Sequence, residues 1–337
     1  MSSEAQVSIV MPVYNGEEFL RSAIESILKQ TFIAFELIII NDGSTDESEA
    51  IILSFSDKRI LYINHEINKG LVAALNTGIS AASGKYIARM DQDDICLPNR
   101  IAAQFAFMEQ HTNVVLLGTQ LQVVGEKNNS HMYSKSDELK TSLLLGTSFA
   151  HPTVMIRKST LVQNNLKYDE AYLHAEDYGF WSQICKYGDI QNLNEVGIQY
   201  RKHPKQYTRV YSEQMRQTTR RIRKDYATHL GLTLNDLEFS LLNSICEKTY
   251  LQFECFDLKE AADFLNLLVI HLSNLGLQKS AVEKVIYSVW LNMCGSLQKA
   301  RKSSLYKEFL LFKKNPSLHD IKTHGWFLKQ SLNNLLN

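Results

Sequence analysis

The sequence predicts a doubly wound α/β domain followed by an appended bundle of helices. Short β-rich runs alternate with stretches of helical periodicity through about residue 200. Each of the clearest runs ends in a cluster of polar residues, the arrangement in which open α/β sheets collect ligands beyond the carboxyl ends of their strands. From about Tyr226 strand-like runs vanish and amphipathic helices dominate, so the chain divides into a sheet domain, 1–225, and a helical domain, 226–337.

In chain order, Val7 to Met11 is a short β-rich run closed by Pro12-Val13-Tyr14-Asn15-Gly16. Phe19, Leu20, Ala23, Ile24, Ile27 and Leu28 then fall at helical spacing. Phe35 to Ile40 reads as a buried strand that stops at Asn41-Asp42-Gly43-Ser44-Thr45-Asp46, a helical stretch runs over 47–55, and a third strand over 60–63. Asn68-Lys69-Gly70 opens a helix over 71–82, which Gly84 breaks. The polar ends converge on one edge with usable chemistry. Tyr14 offers an aromatic face to a planar base, Asp42 can accept a base N–H, and Lys69 can sit on a phosphate. Taken singly, Asp42-Gly43 is equally a turn, Tyr14 a core edge and Lys69 solvated surface. No GxGxxG or GxxxxGK[ST] is present, which excludes a dinucleotide fold and a P-loop.

The fourth strand, from Tyr86 to Met90, delivers Asp91-Gln92-Asp93-Asp94, three carboxylates within four positions. Massed acid repels itself unless a cation sits there, and hard divalent ions prefer oxygen ligands. The alternative is a polar loop in which Asp94 caps a helix starting near Pro98. Beyond it, an apolar helical face at Ile101, Phe105 and Met108 precedes a strand over 114–117, and Val123-Val124-Gly125 closes a short strand at an edge. Phe149 to Arg157 reads as a strand carrying His151 near its start. His174-Ala175-Glu176-Asp177 heads a helix running to about Tyr187. Acids in a first helical turn answer the dipole, yet a carboxylate beside Phe180 and Trp181 also suits a general base over a sugar-sized pocket. Tyr200-Arg201-Lys202-His203-Pro204 ends the last strand of this domain.

Composition narrows the classes. The 337 residues are 45% hydrophobic with a formal net charge of zero, so no global field draws the chain to nucleic acid or membrane. The polar N-terminus is no signal peptide and no apolar run approaches the ~20 residues that span a bilayer. Five scattered cysteines without CxxC spacing suit reduced thiols filling cores, hence a cytoplasmic setting. Charge is uneven locally: residues 201–224 hold nine Lys/Arg against the single acid Glu213, with Arg216, Arg220, Arg223 and Lys224 at helical spacing. This is either a face for anionic phospholipid or an acceptor's pyrophosphate, or a solvated helix pairing with acids elsewhere. No recognition motif for nucleic acid accompanies it. In the last third, helices are expected over 237–248, 258–275, 278–293 and 303–313. A second basic segment, 299–329, with Trp326, Phe327 and Leu328 either lies peripherally on a membrane or packs on its own bundle or a second subunit.

With these motifs in order, the first ~225 residues resemble the inverting family-2 glycosyltransferases, whose fold is the GT-A nucleotide-sugar-binding domain. The matching text is SIVMPVYNGEEFL, INDGSTD, NKGLVAALNTGIS, GKYIARMDQDDI, HPTVMIRKS, HAEDYGFW and YRKHPKQ, and its wording is closest to bacterial β-1,3-galactosyl- and N-acetylgalactosaminyltransferases of lipooligosaccharide and O-antigen assembly. The resemblance implies that Tyr14 stacks on uracil and Asp42 accepts its N3–H, with Pro12, Asn15, Lys69, Gly70, Arg89 and Gln92 also around the donor. Asp91 and Asp93 would hold Mn²⁺ or Mg²⁺ against the diphosphate, completed by His203 or His151, of which His203 fits its motif better. Asp177 matches the catalytic base, with Glu176, Trp181 and His151 toward the acceptor. Gln92 stands where a small residue is more usual, without consequence if its side chain points away.

The implied reaction is metal-dependent transfer of a hexose, galactose or N-acetylgalactosamine first, from a UDP-sugar to a saccharide or lipid-pyrophosphate-linked saccharide. A glucosyltransferase of the same pathway type and a catalytically silent nucleotide-sugar-binding module are the alternatives. A phosphohydrolase built on Asp-x-Asp fits less well, because that class wants Thr or Val soon after its second Asp and here Asp94-Ile95 follows.

Overall fold

The computed structural model describes residues 5–126, 130, 132–203, 212–252 and 256–301. The chain divides into two units, one of residues 1–143 and 147–222 and one of 144–146 and 223–337, so the division falls within three residues of the change in sequence texture.

The first unit is built on an eight-stranded sheet. Its strands are β1 (Val7–Val13), β2 (Phe35–Asp42), β3 (Ile60–His65), β4 (Tyr86–Arg89), β5 (Ile95–Cys96), β6 (Val114–Val123), β7 (Met155–Arg157) and β8 (Asp189–Tyr200), in the order β3-β2-β1-β4-β7-β6-β8-β5. β1 runs parallel to β2 and β4, and β2 to β3. All seven residues of β1 are buried, as expected of a strand covered on both faces. Helix α1 (Leu20–Leu28) lays Leu20, Ala23, Ile24 and Ile27 into the core, and α2 (Ser48–Leu53) and α3 (Leu71–Ala81) complete the alternation. Gly70 precedes α3 at φ +89°, a conformation that glycine adopts without the Cβ penalty.

Beyond β4 the sheet becomes mixed. β7 is antiparallel to both β4 and β6, β6 is parallel to β8, and β5 is antiparallel to β8. Three expectations need correction here. The stretch from Phe149 to Arg157 is not one strand: His151–Thr153 forms a 3-10 turn with Pro152 inside it, and only Met155–Arg157 pairs. Val123 does not close a short edge strand, because β6 is ten residues long and lies between β7 and β8. After the acidic loop, β5 intervenes before α4 (Arg100–Gln110). Helices α5 (Ser136–Leu143) and α6 (Lys158–Gln163) had no clear periodic signal, and α7 (Glu176–Ile184) starts as expected but stops earlier.

Register explains why the polar clusters meet. Val13 lies opposite Asn41, Asp42 opposite His65, and Val10 opposite Arg89, so β4 stops while β1 continues. Proline in an interior strand removes a ladder donor. Here the carbonyl of Val10 accepts from Met90, so Val10 and, two residues on, Pro12 face the β4 side, where by Pro12 the strand has ended.

Helix α8 (Ser212–His229) carries the chain across the division. The second unit holds α9 (Asp236–Glu247), α10 (Leu258–Asn274) and α11 (Lys279–Arg301). Asn235 and Glu238 form a capping box on α9, and Asp257 caps α10 by accepting from Lys259 and Glu260. Leu265, Leu268, Leu272, Ile286, Trp290 and Met293 form its buried interior. Arg223 does not belong to an exposed basic face, being buried against Asn243 and Glu247. The rest of the first basic segment in part, 204–211, and the helix at 303–313 and most of the segment 299–329 lie outside the described residues. Among those described, no helix is long and apolar enough to cross a membrane, and Cys96, Cys185, Cys246 and Cys294 are free thiols.

Candidate active site

Three loops at the carboxyl ends of β1, β2 and β4 are tied together by their own polar side chains. Asn15, at φ +47°, donates its N–H to Ser44 Oγ (3.1 Å) and accepts from the Thr45 N–H (2.9 Å) through its side chain. Gly16 N–H donates to Ser48 Oγ and Glu17 N–H to Asp46. Tyr14 remains 47% exposed at this edge, and Pro12 is buried beneath it.

Asp42 is buried and largely engaged. Oδ1 meets His65 Nδ1 at 2.6 Å and accepts the Lys69 N–H at 3.0 Å, and Oδ2 accepts the Gly70 N–H at 2.8 Å. Three of about four acceptor positions on the carboxylate are thus used, leaving one. His65 Nε2 in turn meets Thr77 Oγ1 at 3.1 Å, so the acid is oriented by β3 and α3. The Lys69 side chain is exposed.

The acidic loop forms a compact donor set. One ligand atom each from Asp91, Asp93 and Asp94 lie within 4.8 Å of one another, and His203 Nε2 is 2.8 Å from Asp93 Oδ2. Asp94 is fully buried: Oδ1 accepts the backbone N–H of Arg201 at 2.9 Å, while Oδ2 has no hydrogen-bond partner. Burial, reinforced by the charges of Asp91 and Asp93, pushes its pKa up to about 8. A buried carboxylate oxygen without a donor, amid three acids and an imidazole, is the environment a hard divalent cation relieves. The donor set therefore fits Mn²⁺ or Mg²⁺. Between the two candidate histidines, His203 stands in the acidic cluster; His151 instead places Nε2 2.8 Å from the Tyr168 hydroxyl and packs edge-on to Trp181.

Basic groups hold this loop from both sides. Arg89, buried, ion-pairs with Asp91. Burial raises the Asp91 pKa and Arg89 opposes the rise. Arg201 does more than add charge to a basic stretch: its guanidinium donates to the Asp93 carbonyl (2.7 Å) and Ser22 Oγ (3.1 Å) and lies over the Phe19 ring, which also meets His203. Beneath, Arg100 is 3% exposed and donates to the carbonyls of Arg89 (2.8 Å) and Val154 (3.1 Å) and to Gln104 (3.1 Å). The contacts of Arg100 and Arg201 were not legible in the sequence, because most of their partners, the carbonyls of Arg89, Val154 and Asp93 and the hydroxyl of Ser22, lie in other segments of the chain. Tyr168, a lone aromatic in a loop, was likewise silent, yet it stacks on Phe180 at 4.3 Å.

Gln92 does not point away. Its Oε1 accepts the Tyr14 N–H at 2.9 Å and its Nε2 donates to the Tyr14 carbonyl at 3.1 Å.

Glu176 and Asp177 open α7. Asp177 Oδ1 accepts the Tyr178 N–H at 2.7 Å. Burial raises the Asp177 pKa, the Tyr178 N–H and then Arg89 oppose it, and Asp91 adds to it, so Asp177 lies within electrostatic reach of the acidic loop. Glu176 is 5% exposed with Oε2 lacking a hydrogen-bond partner, and burial, then Asp177, pushes its pKa up to about 7. Trp181 must be withdrawn from the acceptor side. It is fully buried among Phe149, His151, Tyr168 and Phe180, where a substrate has no access. Burial, and then the charge of Arg89, holds the His151 pKa well below its ordinary value.

Comparison with known proteins accords with this geometry. The model of glycosyl transferase family 2 matches residues 8–172. An uncharacterized glycosyltransferase of Haemophilus influenzae is 32% identical over 253 residues, covering 71% of this chain and 78% of the relative. WfgD of Escherichia coli, named a UDP-Glc:alpha-D-GlcNAc-diphosphoundecaprenol beta-1,3-glucosyltransferase, is 30% identical over 188 residues, 56% of this chain and 73% of WfgD. Among solved structures, S. aureus TarS 1–349 in complex with UDP-GlcNAc aligns with a TM-score of 0.59 at 18% identity, covering 96% of this chain and 92% of TarS 1–349. The Pyrobaculum calidifontis mannosyltransferase PcManGT, in complex with GDP-Man and Mn²⁺, aligns at 0.51 and 11% identity, covering 98% and 87%. These structural likenesses speak to the fold. With a sheet whose parallel half passes into a mixed half, flanking helices and this match in sequence, the chain belongs to glycosyl transferase family 2 and has the GT-A fold.

Proposed function

We propose that this glycosyltransferase moves a hexose from a UDP-sugar to a hydroxyl of a saccharide or lipid-pyrophosphate-linked saccharide, with inversion and in the presence of a divalent metal. The observation that supports the reading is the acidic loop itself: one ligand atom each from Asp91, Asp93 and Asp94 lie within 4.8 Å of one another with His203 2.8 Å from Asp93, and Arg89 and Asp91 are among the charges acting on Asp177. A base on one side and a diphosphate-type cation site on the other is the division of labour that a single displacement at an anomeric carbon requires.

In this reading Tyr14 stacks on the uracil, and the remaining acceptor position of Asp42 takes its N3–H. Lys69, exposed at the start of α3, reaches the diphosphate together with Arg89. Asp91, Asp93, Asp94 and His203 would hold Mn²⁺ or Mg²⁺, whose chemistry when bound is to neutralise charge gathering on the departing diphosphate. Asp177 accepts the proton of the acceptor hydroxyl as that oxygen forms its bond to the anomeric carbon and the bond to the diphosphate breaks. UDP leaves and the configuration inverts. Burial weakens the charged form of Asp177 and so strengthens it as a base, while the Tyr178 N–H and then Arg89 oppose that rise. Glu176 adjoins it on the acceptor side, with an oxygen free of partners within the protein.

Galactose and N-acetylgalactosamine come from the wording of the motifs, and glucose from the name of the E. coli relative, whose acceptor is a lipid diphosphate. Discrimination at a sugar hydroxyl rests on a few contacts. The test is UDP release by the purified protein from UDP-glucose, UDP-galactose and their N-acetylated forms, with Mn²⁺ or EDTA, and with GlcNAc-diphosphate-lipid or lactose-type acceptors. Metal-dependent release from one donor that rises on adding an acceptor is expected. Binding of UDP without release from any donor would favour the silent module, and absence of UDP binding would remove the base and phosphate roles given to Tyr14, Asp42 and Lys69.

A further inference from the structure

The side chain between the two acids of the Asp-x-Asp motif reaches onto another loop. Both ends of the Gln92 amide are used on one residue: Oε1 takes the Tyr14 N–H at 2.9 Å and Nε2 gives to the Tyr14 carbonyl at 3.1 Å. This is the pairing that a neighbouring β-strand would make with Tyr14, supplied by a side chain just past the end of β1, beyond the point where β4 has stopped. Gly16 leaves the room for it. A Cβ built on Gly16 would stand 2.5 Å from Gln92 Oε1 and 2.7 Å from its Cδ, although φ at Gly16 is not in the left-handed region. Glycine is therefore called for by the approach of the amide and not by backbone conformation.

The other ties of the Tyr14 loop run to the β2–α2 loop, through Ser44, Thr45, Asp46 and Ser48. Among the described residues Gln92 is the side chain that joins it to the acidic loop. The two loops would hold opposite ends of one ligand, the base and the diphosphate. A rigid nucleotide site needs them at a set separation, since a loose pair must be ordered at the expense of affinity.

We infer that Gln92 is a positioning residue, an amide clasp with Gly16 as its seat, that fixes the base-binding Tyr14 loop to the metal-binding loop and so sets nucleotide affinity. The inference rests on the nucleotide-site reading above. It reassigns Gln92 from direct contact with the donor to action through Tyr14.

The test is a double-mutant cycle on UDP affinity, by calorimetry in saturating Mn²⁺, with Gln92→Ala, Gly16→Ala and the two combined. Two lost hydrogen bonds predict a weakening of about tenfold for Gln92→Ala. Gly16→Ala, which displaces the amide, should weaken binding similarly. In the double variant the added methyl meets no amide, so binding should be no weaker than in Gln92→Ala alone. Donor KM should rise with the UDP Kd while kcat stays within about twofold, since the base on α7 is untouched. A structural role alone would lower the unfolding midpoint without this split. Gln92→Ala with UDP affinity within twofold of the wild type, or single effects that multiply to about a hundredfold, would overturn the clasp while leaving the nucleotide site in place. A wild-type protein that binds no UDP would overturn both.

Discussion

His203 Nε2 stands 2.8 Å from Asp93 Oδ2, across 110 residues of chain. The strand β8 ends at Tyr200, and Arg201, held by its N–H on Asp94 and its guanidinium on the Asp93 carbonyl, brings the histidine in. If the pair serves a cation, Asp93→Asn and His203→Ala should each weaken Mn²⁺ binding, by on the order of tenfold or more, with little change in fold. Manganese titration followed by electron paramagnetic resonance reads this directly. A His203→Ala protein with unchanged Mn²⁺ affinity would leave the imidazole as a mere partner of Asp93.

Asp177→Asn keeps the volume and the contact with the Tyr178 N–H but removes the base. UDP binding should persist while turnover falls by about 10²–10⁴-fold. Calorimetry for UDP and a UDP-release assay on the same preparation separate the two effects. Near-normal turnover would remove Asp177 from the role.

Glu176 makes stability depend on pH. Burial, then the charge of Asp177, lifts its pKa from 4.5 to about 7. A carboxyl whose pKa is higher in the fold than in the unfolded chain contributes stability that is fully present below pH 4.5 and is lost as pH rises through 7. The loss amounts to on the order of 3 kcal/mol for so buried a group. Glu176→Gln removes that titration, so urea unfolding between pH 5 and 8 should show a smaller decline than in the wild type. Parallel declines in the two proteins would place the proton elsewhere.

Arg100 is a buried cation whose hydrogen bonds go to carbonyls, an amide and the sulfurs of Met90 and Cys96, with no carboxylate among them. Arg100→Met takes a donor from the carbonyls of Arg89 and Val154, the second of which keeps the Arg89 N–H, and takes away a positive charge beneath three acids. A loss on the order of 3–5 kcal/mol is expected, seen as a lower urea midpoint. Arg100→Lys keeps the charge without the planar fork and should cost roughly 1–3 kcal/mol. A Met variant as stable as the wild type would show that the network under the loop contributes nothing.

The sheet's parallel half, its helices and the convergence of Tyr14, Asp42 and Asp91 were legible because each is a local pattern. A buried parallel strand is a continuous apolar run, and its end is marked by a break in that run. The acidic loop and the acids of α7 could be read for the same reason: their residue types and spacing lie within a few positions. The reversal into antiparallel strands at β7 left no such trace. Three residues after a proline turn carry too little periodicity to announce a strand, and their direction depends on which edges remain unpaired. Nor could the sequence tell which histidine joins the acids, that Trp181 is sealed in the core, or that Gln92 grips Tyr14. The first and last follow from contacts between residues 78 to 110 positions apart, and the second from aromatic rings gathered from segments up to 32 positions away. The sequence by itself determined the kinds of chemical group present and the strand ends that carry them. Only the tertiary structure decided which groups meet, because register, burial and hydrogen-bond satisfaction are properties of the packed chain and not of any stretch of it.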